Sequence, residues 1–133
     1  MKRYTEKEAE KEISQQVIKA EEELLSKIWE KLLPTLGGIS LAAIFRRILR
    51  KVGESYPIFS SLRVSEDGFF FKEMEDYFIK NQDKEELSAG FSLFLSELIT
   101  FLSEMTGNIL IGDVKGVIGQ SKIKMEVYNE QKG

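Results

Sequence analysis

Arg46, Arg47, Arg50 and Lys51 place four cations within six residues, and this cluster is the first place to look for chemistry. A guanidinium presents a planar fork of donors suited to a carboxylate or a phosphate. On one face of an amphipathic helix such a cluster could hold an anion, an acidic protein or an acidic lipid surface. The plainer alternative is a solvated face whose charges complement the helix dipole. Residues 34–63 hold five Lys/Arg against one acid, a net +4, whereas residues 64–106 hold three against ten, a net −7. Either the two segments neutralise one another by packing, or the basic one is free to dock a partner.

Two further sets of side chains are candidates. Ser88, Ser92, Ser96 and Thr100 recur at four-residue steps and so share one helical face. Small residues let helices approach closely, so the stripe reads as a helix–helix interface, within the chain or across a dimer. No GxSxG elbow surrounds these serines, and a nucleophilic role has no support. Tyr56, Phe59, Phe69, Phe70, Phe71 and Tyr77 could line an apolar ligand pocket, with a tyrosine hydroxyl as polar anchor. The alternative for this cluster is ordinary core.

The residue types that are missing exclude more than those present suggest. The chain has no cysteine and no histidine. Thiol nucleophiles, iron–sulfur clusters and thiolate zinc sites therefore fall away, as do Ser-His-Asp chemistry and imidazole ligation. Neither zinc nor haem is expected, and no other cofactor. Gly107, Gly112, Gly116 and Gly119 match no phosphate-binding fingerprint. Acid pairs such as Glu66-Asp67 lack calcium-loop spacing, and carboxylate-only catalysis has no supporting motif. A net charge of −3 argues against general nucleic-acid binding. Met1 to Glu12 is charged throughout and has no apolar signal core, and apolar stretches are interrupted before about 18 residues. A cytoplasmic protein is expected. Abundant Lys and Glu without cysteine resemble thermophilic composition.

The 133 residues are enough for one domain with a real core. The element expected at its centre is a helix over about 84–106, opened by a reciprocal Asp83–Glu86 capping box and stopped at Gly107. Leu87, Phe91, Phe94, Leu95, Leu98, Phe101, Leu102 and Met105 recur along it at helical spacing. A first helix should run from Thr5 to Leu33, ended by Pro34. Its seam is Ile13, Val17, Ala20, Leu24, Ile28 and Leu32, joined late by Leu25, Trp29 and Leu33. Its polar start, residues 1–16, should project, fray or pair with another chain. The stretch after Gly37-Gly38 is the cleanest amphipathic segment, with Leu41, Ile44, Phe45, Ile48, Leu49 and Val52 on one face and Gly53 as its stop.

Pro57 should keep the next residues extended. A hairpin is expected over 62–71, with Gly68 in a left-handed position and both faces of the Phe69–Phe71 run covered, or one ring left for a partner. Lys72 to Lys80 suits a short helix. Residues 108–119 fit either a strand pair or a helix. Offset by seventy residues, Leu25, Ser26, Leu32 and Gly37 match Leu95, Ser96, Leu102 and Gly107, and an internal repeat would favour the helix. Residues 122–128 alternate as a half-buried strand that would extend the hairpin.

The expected fold is thus α+β and mostly helical: a bundle around 84–106 with a small antiparallel sheet. The expected function is a non-enzymatic interaction or regulatory module that self-associates, as a homodimer. The alternative is a sensory or carrier domain that binds a small apolar ligand or makes peripheral contact with an anionic membrane.

Overall fold

The computed structural model describes the backbone of residues 6–106 and 110–119, and the side chains among them from Gln15 onward. It is mostly helical with one small antiparallel sheet, as the patterning implies. The expectations for Thr5, for the projecting start of the first helix at the side-chain level, and for the strand at 122–128 lie outside the described residues.

The first helix, α1, spans Glu6–Leu36 and carries Pro34 inside its last turn. Proline removes the bond to the Glu30 carbonyl, but its fixed φ is helical, and the exposed final turn tolerates the loss. The Gly37 amide donates to the Leu33 carbonyl at 2.9 Å, one turn beyond the expected end. The buried face is the expected one from Leu24 to Leu32 and departs from it in the earlier turns. Ile18, Glu21, Leu25, Ile28 and Leu32 follow a 3-4-3-4 spacing and are all buried, flanked by Leu24 and Trp29. Val17 and Ala20 are only half-buried. Glu21 is the reason the pattern misleads, since an acid stands where the seam calls for an apolar side chain.

The second helix, α2, spans Gly38–Ser55 and buries all six expected apolar residues together with Ala42. Gly53 lies inside this helix rather than at its end. A Cβ there would collide with Ser60 Oγ, so Gly53 permits the close approach of the segment that follows. That segment, Pro57–Ser61, is a short 3-10 helix with proline at its start, not an extended strand. Proline at the first helical position loses only an amide with no intrahelical partner.

The hairpin forms as expected, in shorter strands. β1 (Arg63–Ser65) pairs antiparallel with β2 (Gly68–Phe70), in the register Arg63↔Phe70, Val64↔Phe69, Ser65↔Gly68. Gly68 has a positive φ of 121°. Val64 and Phe69 face inward, whereas their neighbours Arg63 and Phe70 are exposed side by side. Helix α3 (Lys72–Asn81) turns Met74 and Phe78 into the core and half-buries Tyr77.

Helix α4 (Lys84–Thr106) has Phe94, Leu95, Leu98 and Leu102 fully buried. By length and composition it could cross a membrane, yet most of its apolar side chains pack in or against the core. Only half of the expected capping box is present. The Glu86 amide donates to Asp83 Oδ1 at 2.9 Å, but the Glu86 carboxylate reaches 28 residues back and accepts from the Ile58 amide at 3.2 Å. It thereby satisfies an orphan donor at the start of the 3-10 helix. Replacing Glu86 by alanine should cost about 1 kcal/mol, read as a lower urea midpoint, and should speed hydrogen exchange at the Ile58 amide.

Residues 111–119 form a helix, α5 (Ile111–Gly119), with Val114, Val117 and Ile118 buried and its glycines on the open side. The principal neighbours of α4 are α2, α5 and the 3-10 helix, whereas α2 touches α1, α4, β1 and the 3-10 helix. More of the fold therefore rests on α2 than on the helix over 84–106. The seventy-residue offset also appears in the packing. α1 rests on α5 as α2 rests on α4. Leu24, Leu25, Ile28, Leu32, Leu41, Ile44 and Ile48, and their counterparts seventy residues on, are all buried. At that offset Glu21 corresponds to the buried Phe91.

Candidate functional site: a groove between the second helix and the hairpin

Residues four apart on a helix share a face, so the α2 cations divide into two pairs. Arg46 and Arg50 face a hollow of about 560 Å³ between α2, the 3-10 helix and β1, and Arg63 of β1 joins them. Leu49, Phe59 and Leu62 supply its apolar lining, and Glu54 stands at its edge. Arg47 and Lys51 lie instead beside a smaller hollow of about 200 Å³ against α4. There Lys51 Nζ meets Glu97 Oε2 at 3.0 Å, and the Arg47 guanidinium lies 5.9 Å from the centre of the Phe101 ring.

The separation accounts for part of the charge asymmetry. Glu97 of the acidic segment pairs with Lys51, and Arg47 lies over the uncharged Phe101 ring. Arg46 and Arg50 form no ion pair among the described residues. Arg63 donates through Nε to Glu73 Oε1 at 2.7 Å, an exposed pair. Sequence spacing could separate the α2 cations, but not recruit Arg63. Its arrival depends on the 3-10 helix folding back over Gly53, where no Cβ obstructs it.

The other candidate sets are placed as follows. On α4, Ser92 is buried and Ser96 half-buried, whereas Ser88 and Thr100 are exposed. The close approach on this helix is made by Gly90, where a Cβ would lie 2.5 Å from the Phe59 ring. The aromatic residues form a packed series. Phe45 stacks on Trp29 at 6.0 Å and on Phe94 at 5.8 Å, and meets Phe69 edge-on at 4.9 Å. Phe94 stacks in turn on Phe59 and Phe91. Phe71 lies against Phe69, and Tyr56, Phe71 and Tyr77 pack at the core margin. Phe70 is 51% exposed, and of the three consecutive phenylalanines it is the ring left outside.

Sequence patterning gave no signal for Glu21. It is 6% exposed, and among the described residues its Oε1 has no hydrogen-bond partner. Burial pushes its carboxyl well above the usual carboxylate range. The neighbouring Glu22 is also raised, first by burial and then by Glu75 of α3, with Lys19 opposing. Among the described residues no group of three or more His, Cys, Asp or Glu is placed to hold a metal ion.

No protein family matches the chain, and neither the curated proteins nor the solved structures include a significant match to it.

Proposed function

We propose that this chain is a non-enzymatic interaction or regulatory module that works through the groove between α2 and the hairpin. The observation that carries this reading is the unequal use of four adjacent cations. Two are engaged by α4, while Arg46 and Arg50 stand exposed and, among the described residues, without an ion pair beside a partly apolar hollow. A chain without histidine or cysteine lacks the groups that most catalysis uses, which favours binding over turnover.

A cytoplasmic setting and self-association as a homodimer belong to the same proposal. Ile39 at 75% exposed and Met105 at 51% offer apolar contacts for a second copy. The hollow also favours one second reading, a carrier for a small acidic amphiphile, because its volume falls within the usual range for ligand pockets.

A native mass spectrum of the purified protein separates these readings. A dimer of bare chains is the expected result. A discrete extra mass that disappears in the Arg46→Glu/Arg50→Glu variant would replace the module by the carrier.

A further inference from the structure

We propose that the groove binds an acidic linear segment of a partner protein, in which carboxylates are interspersed with aliphatic or aromatic residues. The inference rests on the reading of the groove as the working surface and identifies what that surface takes. Arg46 and Arg50 are one helical turn apart, about 6 Å along the axis. This spacing suits two carboxylates on one side of either a helix or an extended strand. Arg63 lies across the hollow from α2 on β1, its charge already paired with Glu73.

The lining between these cations is mixed, with Gly53 and Ser60 beside the edges of Leu49, Phe59 and Leu62, which are themselves buried. On the outer face of the hairpin Arg63 stands directly beside the exposed Phe70. A partner that offered charge alone would leave the Phe70 ring uncovered. One that offered only apolar groups would leave two guanidinia beside its buried surface with no counter-charge. A segment with both is complementary to the whole groove.

The surrounding charges tell against the two other sources of negative charge. Glu54 is at the edge of the groove, Glu73 is paired with Arg63, and Glu97 and Glu104 border the next hollow on α2. Glu73 and Glu97 are already paired with Arg63 and Lys51, so among the described residues the unpaired acid that a flat bilayer would meet at this groove is Glu54, which a narrow chain segment can avoid. An inorganic anion would find arginines that are solvent-exposed rather than an enclosed set of donors.

The test is fluorescence anisotropy with a labelled synthetic peptide of alternating glutamate and leucine. Its lysine–leucine counterpart, phosphatidylserine vesicles and inorganic phosphate serve as comparison probes. The acidic peptide should bind at low ionic strength and weaken as salt is added. The basic peptide should not bind, and vesicles and phosphate should bind at least roughly tenfold more weakly. The Arg46→Glu/Arg50→Glu variant should lose roughly tenfold or more in peptide affinity, with unchanged circular dichroism because both residues are exposed. If vesicles or phosphate match or exceed the peptide, and do so only with Arg46 and Arg50 intact, the partner class is wrong and the groove reading stands. If no probe binds, or if the variant binds as well as the parent chain, the groove reading itself fails.

Discussion

Replacing Phe94 by alanine should cost about 3–5 kcal/mol, enough to unfold a large fraction of a marginally stable domain. The ring is fully buried and stacks on Phe45, Phe59 and Phe91 at centroid distances of 5.8, 6.3 and 6.4 Å. It therefore joins α2, the 3-10 helix and α4, and no single neighbour can move to fill the space without leaving another. Poor collapse of the cavity puts the expected cost toward the upper part of the range. Phe70→Ala is the control, because its ring is half exposed and appears in none of these stacks. It should change stability by no more than about 0.5 kcal/mol. Urea unfolding of both variants measures the difference. Equal midpoints would mean that the aromatic series is not the centre of the core.

That contrast bears on what could be read from the residues. Three consecutive phenylalanines announce burial, but cannot say which ring stays out. The hairpin register decides it by placing Phe70 opposite Arg63 and Phe69 opposite Val64. Where one period dominates, as in α2, the sequence specifies the element and its buried face together. Residues 108–119 were ambiguous because β-branched residues and glycines both weaken a helix locally. Packing of Ile111, Val114 and Ile118 in the core supplies what propensity lacks.

Pro34 suggests the end of a helix and Pro57 an extended stretch, yet both lie inside helical turns, one in the last turn of α1 and the other at the start of its element. In both places the missing amide costs little. The groove was half legible. Arg46 and Arg50 were identified from spacing, but Arg63 and the apolar lining come from segments whose approach no local pattern encodes. Glu86 shows the same limit, since the capping box is local whereas its actual acceptor role spans 28 residues.

Glu21 gives the second large effect, and it depends on pH. Its carboxyl lies in the buried seam of α1, with Oε1 unpaired and burial the only cause raising its pKa. In the unfolded chain the same group titrates near about 4.3. Between that value and the raised folded value, the folded state holds a proton that the unfolded state has released. Stability from this group is therefore complete below about pH 4.3 and is lost as pH rises through the folded pKa, at up to about 1.36 kcal/mol per pH unit. Glu22, raised in the same direction, adds to the trend.

Replacing Glu21 by leucine removes the ionisation and restores the apolar residue that the seam and the corresponding Phe91 both call for. The advantage of the Glu21→Leu protein over the parent chain should be smallest near pH 4, where only the cost of the neutral buried carboxyl is relieved, and should widen by about 1–3 kcal/mol at pH 7. Glu21→Gln, neutral but still polar, should flatten the pH dependence without the full gain. Urea midpoints measured from pH 4 to pH 8 provide the comparison. A parent chain that does not weaken relative to Glu21→Leu over that interval would show that the carboxylate is solvated or paired in solution. The buried face of α1 would then have to be drawn again, with Glu21 outside it.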